Sequence, residues 1–268
     1  MDDCTVIVFS CDKYSDTWEP FFKLFARFWK TCPYNVCLST ESLNLQSEYC
    51  EVQVLHTGKG EWSKRAMCAL RQIDTEYVLV LLDDFFFFSD VDQKRLDECI
   101  VWMKNNQDVA NFSFAPTLWP DIQDHRFPGF ELRPELAPCR VNLQAGLWKT
   151  SILLKLLRAH ENAWQFEDFG TSRANRHAEW KFYAAEKGKP CIFTYEFGGG
   201  LHQGKWTVFT KQLFMENGIA VDYEKRGFDP KPTAEWEKLL PAPVKRKNTP
   251  EVIMYKLKRF LLNWRSYI

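Results

Sequence analysis

Two adjacent carboxylates, Asp83 and Asp84, follow an unbroken apolar run (residues 77–82) and precede four consecutive phenylalanines (residues 85–88). An apolar run without polar alternation is typical of a strand covered on both faces, as in a parallel sheet with helices on either side. Ligands of such sheets bind just beyond the carboxyl ends of the strands. The sequence therefore predicts that Asp83 and Asp84 lie in a binding site.

The pair also predicts a divalent cation. Neighbouring carboxylates repel each other, so ionising both costs free energy unless a cation or strong hydrogen-bond donors lie beside them. Mg²⁺ and Mn²⁺ prefer oxygen ligands, and a nucleotide-bound ion commonly has one or two carboxylates plus phosphate oxygens. Two other interpretations stay open: the acids cap a helix that begins near Asp90 or Asp92, or they end the strand in solvent. The phenylalanines disfavour an exposed turn, because they must be buried or line a site.

A second candidate is the segment Gly-Gly-Gly-Leu-His-Gln-Gly-Lys-Trp, residues 198–206, which carries His202 and Lys205. Glycines let backbone amides approach an anion closely, His binds metals, and Lys supplies a point charge for phosphate. We expect this loop and the two aspartates to meet at one diphosphate. A flexible loop with an incidental His is the alternative.

Glu167 and Asp168 are a third candidate, because three aromatic residues surround them in the sequence. A carboxyl group buried among aromatics has a raised pKa, which suits a general base. The alternative is that they are amino-terminal acids of a helix predicted over residues 170–186.

Lys64 and Arg65 lie near the amino end of a helix predicted over residues 61–73, where the helix dipole disfavours cations. That position indicates a partner, either a phosphate or the aspartates that follow, although solvated surface cations remain an alternative. Residues 115–140 are rich in Pro, Gly and aromatics, and long irregular loops inside a domain are usually functional. We expect this loop to contact an acceptor substrate.

The elements that position these residues alternate between strand and helix. An early β-strand, an amphipathic helix and further short strands are typical of a doubly wound α/β sheet. The predicted strands are 5–9, 35–39, 52–55, 77–82, 109–114 and 191–195, and the predicted helices are 17–30, 61–73, 91–104, 149–160 and 170–186.

Composition narrows the function classes. The 268 residues include 35 basic and 35 acidic side chains, so bulk charge gives no support for a nucleic-acid partner. Nine cysteines without paired short spacings and without a signal peptide favour free thiols in a reducing cytosol. Cys32 and Cys37 have no matching second pair, which disfavours a zinc site. No apolar stretch reaches the length of a membrane span.

The carboxyl-terminal region differs from the rest. Residues 229–248 are rich in Pro and Lys and predict an extended strap, and residues 252–265 predict a helix with one apolar and one basic face. A basic amphipathic helix with a Trp is typical of an interfacial segment on anionic lipid. A terminal helix packed on its own domain is the alternative. We therefore predict a catalytic domain over residues 1–228 and an extension over residues 229–268.

Together, the first strand and its polar loop, the basic helix, the Leu82-Asp83-Asp84 strand end, the acidic segment and the late His-containing loop resemble nucleotide-sugar glycosyltransferases of the GT-A fold. More narrowly, the chain resembles bacterial enzymes of capsule, O-antigen and lipopolysaccharide assembly. In that fold an Asp-x-Asp motif holds Mn²⁺ or Mg²⁺ against the donor diphosphate. Leu82 stands at the first acid position, Asp83 at the middle and Asp84 at the metal-binding acid.

The late loop carries a second part of the resemblance. In glycogenin-like and lipooligosaccharide galactosyltransferases, a His-x-x-Gly-x-x-Lys-Pro-Trp loop supplies a metal ligand and phosphate contacts. His202, Gly204, Lys205 and Trp206 are similar to a shortened form of it. The resemblance thus implies metal binding by Asp84 and His202, and phosphate binding by Gly204 and Lys205.

The resemblance also implies the remaining roles. Ser10 and Asp12 would touch the nucleoside, with Asp83 beside them, and Arg65 would face the base or phosphate. Glu167 or Asp168 would lie on the acceptor side, where inverting members have their general base. The implied fold is a GT-A-like, mostly parallel sheet flanked by helices, with a carboxyl-terminal helical extension.

The implied reaction moves a sugar from a nucleoside diphosphate sugar to a hydroxyl of a glycan or lipid-linked saccharide, in the cytoplasm or at the inner face of the cytoplasmic membrane. A non-catalytic glycan- or lipid-binding scaffold is one alternative, since it explains the missing first Asp of the motif. A sugar-phosphate nucleotidyltransferase is another, disfavoured because residues 10–13 lack the glycines of its phosphate loop.

Overall fold

The apolar runs form one large sheet, and the amphipathic segments form the helices that cover it. The computed structural model describes residues 3–116, 122, 124–189, 191–196, 198–229 and 266. The strands in this part of the chain are β1 (Cys4–Phe9), β2 (Asn35–Thr40), β3 (Gln53–His56), β4 (Tyr77–Leu82), β5 (Val109–Ser113), β6 (Phe130–Leu132), β7 (Gly146–Lys149), β8 (Lys181–Ala185), β9 (Leu201–His202) and β10 (Lys205–Trp206). The helices are α1 (Ser15–Phe28), α2 (Trp62–Leu70), α3 (Gln93–Asn105), α4 (Thr150–Leu156), α5 (Ala163–Ala174) and α6 (Val208–Glu216).

The main sheet has the strand order β3-β2-β1-β4-β7-β5-β8-β6. Within the described residues, β6 and β7 run against the other six strands. This confirms the prediction of an α/β fold with a mostly parallel sheet flanked by helices. The small β9–β10 hairpin is separate from this sheet.

Strand β4 is covered on both faces, as its apolar sequence predicts. Tyr77, Leu79 and Leu81 pack in the core beneath α1 and α3. Val78 and Val80 point to the opposite core, beneath α2, α4 and α5. The run therefore delivers its two following carboxylates to the carboxyl edge of the sheet, where β1, β2 and β3 also end.

The four phenylalanines that follow are mostly buried. Phe85, Phe86 and Phe87 are each 2% exposed or less, whereas Phe88 is 38% exposed. The Phe87 ring stacks on Phe193 with ring centroids 4.3 Å apart. The segment therefore anchors the region after the acids in the core, and a solvent-exposed turn is wrong for it.

The acids do not cap α3 either. The cap of this helix is Asp92, whose Oδ1 accepts a hydrogen bond from the Arg95 backbone N–H at 3.0 Å.

Two predicted elements are wrong. The helix predicted over residues 170–186 begins earlier, because Asn162 and Gln165 form a capping box, and it ends at Ala174. The residues after it form β8 instead. The strand predicted over residues 191–195 is a loop, with a single isolated bridge between Tyr195 and Phe87.

The predicted strap and terminal helix lie outside the described residues, apart from Asp229 and Ser266, so the domain boundary stays a prediction. In the described part of the chain, the longest apolar helices fall short of what a membrane crossing requires.

Candidate active site

Ser10 and Asp83 meet because β1 and β4 are adjacent parallel strands, with Phe9 opposite Leu82 in the register. The Ser10 hydroxyl donates to Oδ2 of Asp83 and accepts a hydrogen bond from Nε1 of Trp18 at 2.6 Å. Asp83 is buried. The strand register thus converts two distant sequence positions into one polar contact at the carboxyl edge of the sheet.

Asp84 faces the glycine-rich loop, residues 198–206. The Gly200 backbone N–H donates to the Asp84 carbonyl oxygen at 2.7 Å. The Leu201 N–H donates to the Asp84 carboxylate. Gly199 passes so close that a Cβ atom there would lie 2.2 Å from Oδ2 of Asp84. The structure therefore brings the acidic strand end and the late loop together.

The two carboxylates share a poorly solvated position. Burial raises the pKa of Asp84, and the charge of Asp83 raises it further. Burial also raises the pKa of Asp83, an effect that hydrogen bonds from Ser10 and Thr17 partly offset. The ionised form of the pair is therefore disfavoured unless a further positive charge lies beside it, as the sequence predicts for adjacent acids.

Arg226 supplies some of that charge, and sequence reasoning missed it. Its guanidinium lowers the pKa of both aspartates, though less than burial raises them. Its Nε donates to Oδ2 of Asp16 at 2.6 Å, and its Nη1 donates to the Gly204 carbonyl at 3.3 Å. Arg226 therefore ties the β9–β10 hairpin to the start of α1. A single Arg outside any motif gives no signal in the sequence.

His202 and Lys205 face each other across the β9–β10 hairpin. Both residues of its turn have a positive φ, +49° at Gln203 and +79° at Gly204, as in a type I′ hairpin. Lys205 is exposed, so its ammonium group is available at the rim of the site.

The segment at residues 227–229 fastens this hairpin. Nδ1 of His202 pairs with Oδ2 of Asp229. The Asp229 N–H donates to the Trp206 carbonyl at 2.9 Å, and the Trp206 N–H donates to the Gly227 carbonyl at 3.0 Å. A carboxylate therefore holds the His202 ring, and two backbone hydrogen bonds hold Trp206 on the facing strand β10.

Asp12 and Arg65 lie at the same carboxyl edge of the sheet, and backbone groups of neighbouring loops take up many of their hydrogen bonds. The Asp12 carboxylate accepts N–H groups of the loop after β2, including Glu41 at 2.9 Å and Leu43 at 3.2 Å. Arg65 donates through Nη1 to the Ser10 carbonyl and through Nε to the Gly60 carbonyl at 3.3 Å. Both residues shape the segment that follows β1.

Glu167 lies on α5, toward the same end of the sheet. Its Oε1 accepts the Leu143 N–H at 2.7 Å. Leu143 precedes β7, which runs antiparallel to β4 with Gly146 opposite Val80, so Leu143 lies toward Asp83. Burial raises the pKa of Glu167, the Leu143 amide partly offsets this, and the charge of the exposed Asp168 adds to it.

Tyr195 connects the two sides of the site, and its role was missed because its segment was predicted as a strand. Its ring stacks on Phe85 with centroids 4.5 Å apart. Its hydroxyl donates to Oε1 of Gln144 at 2.9 Å and accepts the Ala145 N–H at 3.1 Å. Burial raises the pKa of Tyr195, and the charge of Asp84 contributes. A partly buried tyrosine therefore links Phe85, which follows Asp84, to the residues that lead from Leu143 into β7.

The donor set fits a divalent cation only in company with a ligand. No group of three or more His, Cys, Asp or Glu side chains in the described residues is arranged to hold a metal ion. Asp83 and Asp84 offer carboxylate oxygens, and Mg²⁺ commonly takes one or two carboxylates plus substrate phosphates. The residues present therefore suit a cation that arrives with a diphosphate.

No family model and no curated protein matches the sequence. Among solved structures, the chain is similar to S. aureus TarS 1–349 in complex with UDP-GlcNAc, with 14% identity, a TM-score of 0.41 and coverage of 71% of this chain and 60% of that one. The same protein in complex with UDP gives 14% identity, a TM-score of 0.43 and coverage of 68% and 60%. The bifunctional IspDF from Campylobacter jejuni gives 14% identity, a TM-score of 0.40 and coverage of 69% and 49%. The chain thus spans less than two thirds of the length of each of these proteins.

Proposed function

We propose that the chain is a nucleotide-sugar-dependent glycosyltransferase that acts on a glycan or lipid-linked saccharide in bacterial surface polysaccharide synthesis. The convergence of Asp84 with the glycine-rich loop carries the proposal. Two segments far apart in the sequence meet at the carboxyl edge of a parallel sheet, the usual ligand-binding edge of such folds. One segment supplies carboxylates and the other supplies glycine amides and a lysine.

The donor diphosphate would lie over this contact. Gly204 and Lys205 would bind its oxygens, because a backbone next to glycine approaches an anion closely and an exposed ammonium adds a positive charge. The nucleoside would extend toward Ser10, Asp12 and Arg65. The hydrogen bonds of these three residues to their own chain support a role in shaping that part of the site.

Asp84, with Asp83 beside it, would hold Mg²⁺ or Mn²⁺ together with the diphosphate. Such an ion supplies charge stabilisation for the departing nucleoside diphosphate. His202 is proposed as a further ligand. Its contact with Asp229 supports this, because a carboxylate on one ring nitrogen is the usual orienting partner of a metal-binding His.

Glu167 is the proposed general base. The acceptor hydroxyl oxygen would attack the anomeric carbon, its proton would pass to Glu167, and the bond to the diphosphate would break. The raised pKa of Glu167 supports this role, since a stronger base accepts the proton more readily. Transfer by this route inverts the anomeric centre. Asp168, which is exposed, would bind or orient the acceptor.

We place the reaction at the cytoplasmic face of the membrane. The basic amphipathic pattern of residues 252–265 supports a peripheral contact with anionic lipid, although that segment lies outside the described residues.

Calorimetry with UDP- and GDP-sugars, with and without Mn²⁺, tests the donor site. The wild type should bind one nucleotide sugar with a heat of binding that increases when Mn²⁺ is present. It should also transfer the sugar to an acceptor, as seen by product mass. Asp84→Ala should lose both, whereas the exposed control Asp90→Ala should keep them. Unchanged turnover in Asp84→Ala, or no heat with any nucleotide sugar, would contradict the proposal.

A further inference from the structure

Trp164 is a large aromatic side chain in solvent. It is 77% exposed, whereas Phe166, two residues later on the same helix, is fully buried. Phe166 packs on Trp62 with ring centroids 5.5 Å apart, so the core contact of this part of α5 is made without Trp164. The amino end of the helix is also independent of the indole, since Asn162 and Gln165 form the capping box. Neither the packing nor the capping of α5 explains why Trp164 is there.

The position of Trp164 follows from a row of contacts along one face of α5. Thr171 Oγ1 accepts the Val141 N–H at 3.0 Å, and one turn earlier Glu167 accepts the Leu143 N–H at 2.7 Å. Residues three or four apart share a helix face, so Trp164 is the next member of this row. It lies one turn beyond Glu167, in the direction that leads from Val141 to Leu143. The indole and the proposed base therefore border the same side of the sheet edge.

The loop at residues 133–139 approaches this row from the other side. Burial raises the pKa of the Cys139 thiol, and the charges of Glu167 and Asp168 raise it further. Burial raises the pKa of Glu167, and the charge of Arg133 lowers it. Arg133 fixes the loop by donating from Nη2 to the Pro138 carbonyl at 2.9 Å. Between these two residues, Leu136 is 87% exposed. The carboxylate of Glu167 thus lies one helical turn from an exposed aromatic side chain and within electrostatic reach of a loop that carries an exposed leucine.

This combination suits a sugar ring. A pyranose has one face of C–H groups, which packs on an aromatic ring, and a rim of hydroxyls, which donate to carboxylates. Binding sites for small molecules commonly combine aromatic walls with a few polar groups that fix orientation. An exposed indole one turn from two carboxylates provides both parts.

We propose that Trp164 is the stacking platform of an acceptor subsite that takes a pyranose ring, with Glu167 and Asp168 accepting hydrogen bonds from its hydroxyls. The acceptor role rests on the proposed transferase function. The subsite itself rests on the exposure of Trp164 and on its place in the α5 row.

Saturation-transfer NMR tests the subsite with methyl β-glucopyranoside and methyl β-galactopyranoside as probes. The wild-type chain should transfer saturation to the ring C–H protons of at least one of these two probes. Trp164→Ala should bind that probe about fivefold or more weakly, because it loses the aromatic contact, whereas Trp164→Phe should keep most of the affinity. Met215→Ala is the matched control, since Met215 on α6 is 71% exposed and should not affect the probe. Both Trp164 variants should fold normally, as the side chain is solvent-exposed.

Equal binding of the pyranoside by the wild type and Trp164→Ala would overturn the proposal. The absence of any saturation transfer from the wild type to either pyranoside would overturn it as well. UDP-sugar calorimetry on the same variants separates this outcome from the proposed function. If the chain binds a nucleotide sugar but the pyranoside signal is the same in Trp164→Ala, only the subsite proposal is contradicted. A pyranoside signal that depends on Trp164, without any nucleotide-sugar binding, upholds the subsite and indicates a glycan-binding scaffold in place of a transferase.

Discussion

Gly199 is packed against the carboxylate of Asp84, so that a Cβ atom on the glycine would lie 2.2 Å from Oδ2. The next glycine repeats the pattern, since a Cβ on Gly200 would lie 2.3 Å from the ring of Phe86. Cβ atoms do not approach other heavy atoms this closely, so any side chain at Gly199 must displace Asp84. The acidic strand end and the glycine-rich loop therefore form one unit.

A comparison of Gly199→Ala with Gly198→Ala should separate the steric displacement of Asp84 from the cost of backbone strain. Gly198 and Gly199 both have a positive φ, +92° and +87°, but only Gly199 would contact Asp84 through a Cβ. Both Ala variants should lose about 1–2 kcal/mol of unfolding free energy from backbone strain. Gly199→Ala should in addition bind Mn²⁺ and a UDP-sugar about tenfold or more weakly, because Asp84 must rotate away.

The measurement is urea denaturation together with calorimetry on both variants. Equal nucleotide-sugar affinity in Gly198→Ala and Gly199→Ala would show that the position of Asp84 is unimportant for the donor.

The paired aspartates should make the metal-free protein less stable as the pH rises. The folded state raises the pKa of both carboxyls above the ordinary value near 4, mainly through burial. Above that value the folded chain binds more protons than the unfolded chain, so the free energy of unfolding falls with increasing pH. For one proton the slope is at most about 1.4 kcal/mol per pH unit.

Asp84→Asn removes one of the two charges and should flatten this slope, so that the variant is more stable than the wild type at about pH 8. Denaturation in EDTA between about pH 5 and about pH 8 measures it. Asp90→Asn, at an exposed position, should keep the wild-type slope. A wild-type stability that rises over this range would show that the aspartates are not strained by burial.

The acidic strand end was predictable from the sequence, because a doubly buried strand has a local signature. An unbroken apolar run followed by two acids places charge at the sheet edge, and this holds for β4. The glycine-rich loop was predictable for a similar reason, since consecutive glycines indicate close backbone approach. Arg226 and Tyr195 were not, because each acts through tertiary contacts with segments far away in the chain.

The wrong elements have a local cause. The capping box at Asn162 starts α5 at Ala163, seven residues before the predicted start, so the helix ends at Ala174 and the later residues are free to form β8. Phe193 and Tyr195 favour a strand by propensity. In the folded chain these rings pack instead on the phenylalanines after β4, so tertiary packing overrides the local preference.

Arg226→Ala should destabilise the protein and loosen the hairpin. The Arg226 side chain is 7% exposed and makes a double contact with Asp16, so its loss removes both guanidinium hydrogen bonds from a poorly solvated carboxylate and leaves it only the exposed Lys225 nearby. We expect a loss of about 2–4 kcal/mol of unfolding free energy. Since Arg226 also lowers the pKa of Asp83 and Asp84, its removal should raise both pKa values further.

Lys225→Ala is the matched control. Its Nζ lies 3.9 Å from the same Asp16, but the side chain is 57% exposed, so the loss should be less than about 1 kcal/mol. Equal losses in thermal or urea denaturation of the two variants would show that Arg226 is only a surface charge.

Glu167→Gln should separate the chemical step from donor binding. If Glu167 takes the acceptor proton, the amide should lower kcat about a hundredfold to ten-thousandfold and leave nucleotide-sugar affinity unchanged. Glu179→Gln, at an exposed carboxylate paired with His177, should keep the wild-type rate. Normal transfer by Glu167→Gln would remove it from the chemistry.

The pH profile gives a second, independent readout of the same residue. The base must be deprotonated, so a pKa raised by burial moves the acid limb of kcat above the ordinary range of a glutamate. The charge of Asp168 contributes to that rise, and Asp168→Asn should therefore move the acid limb to lower pH. A limb that stays in place in Asp168→Asn, with kcat otherwise intact, would mean that a different group controls the ionisation. The direction of the shift matters, because a merely structural role of Asp168 would lower the rate without moving the limb.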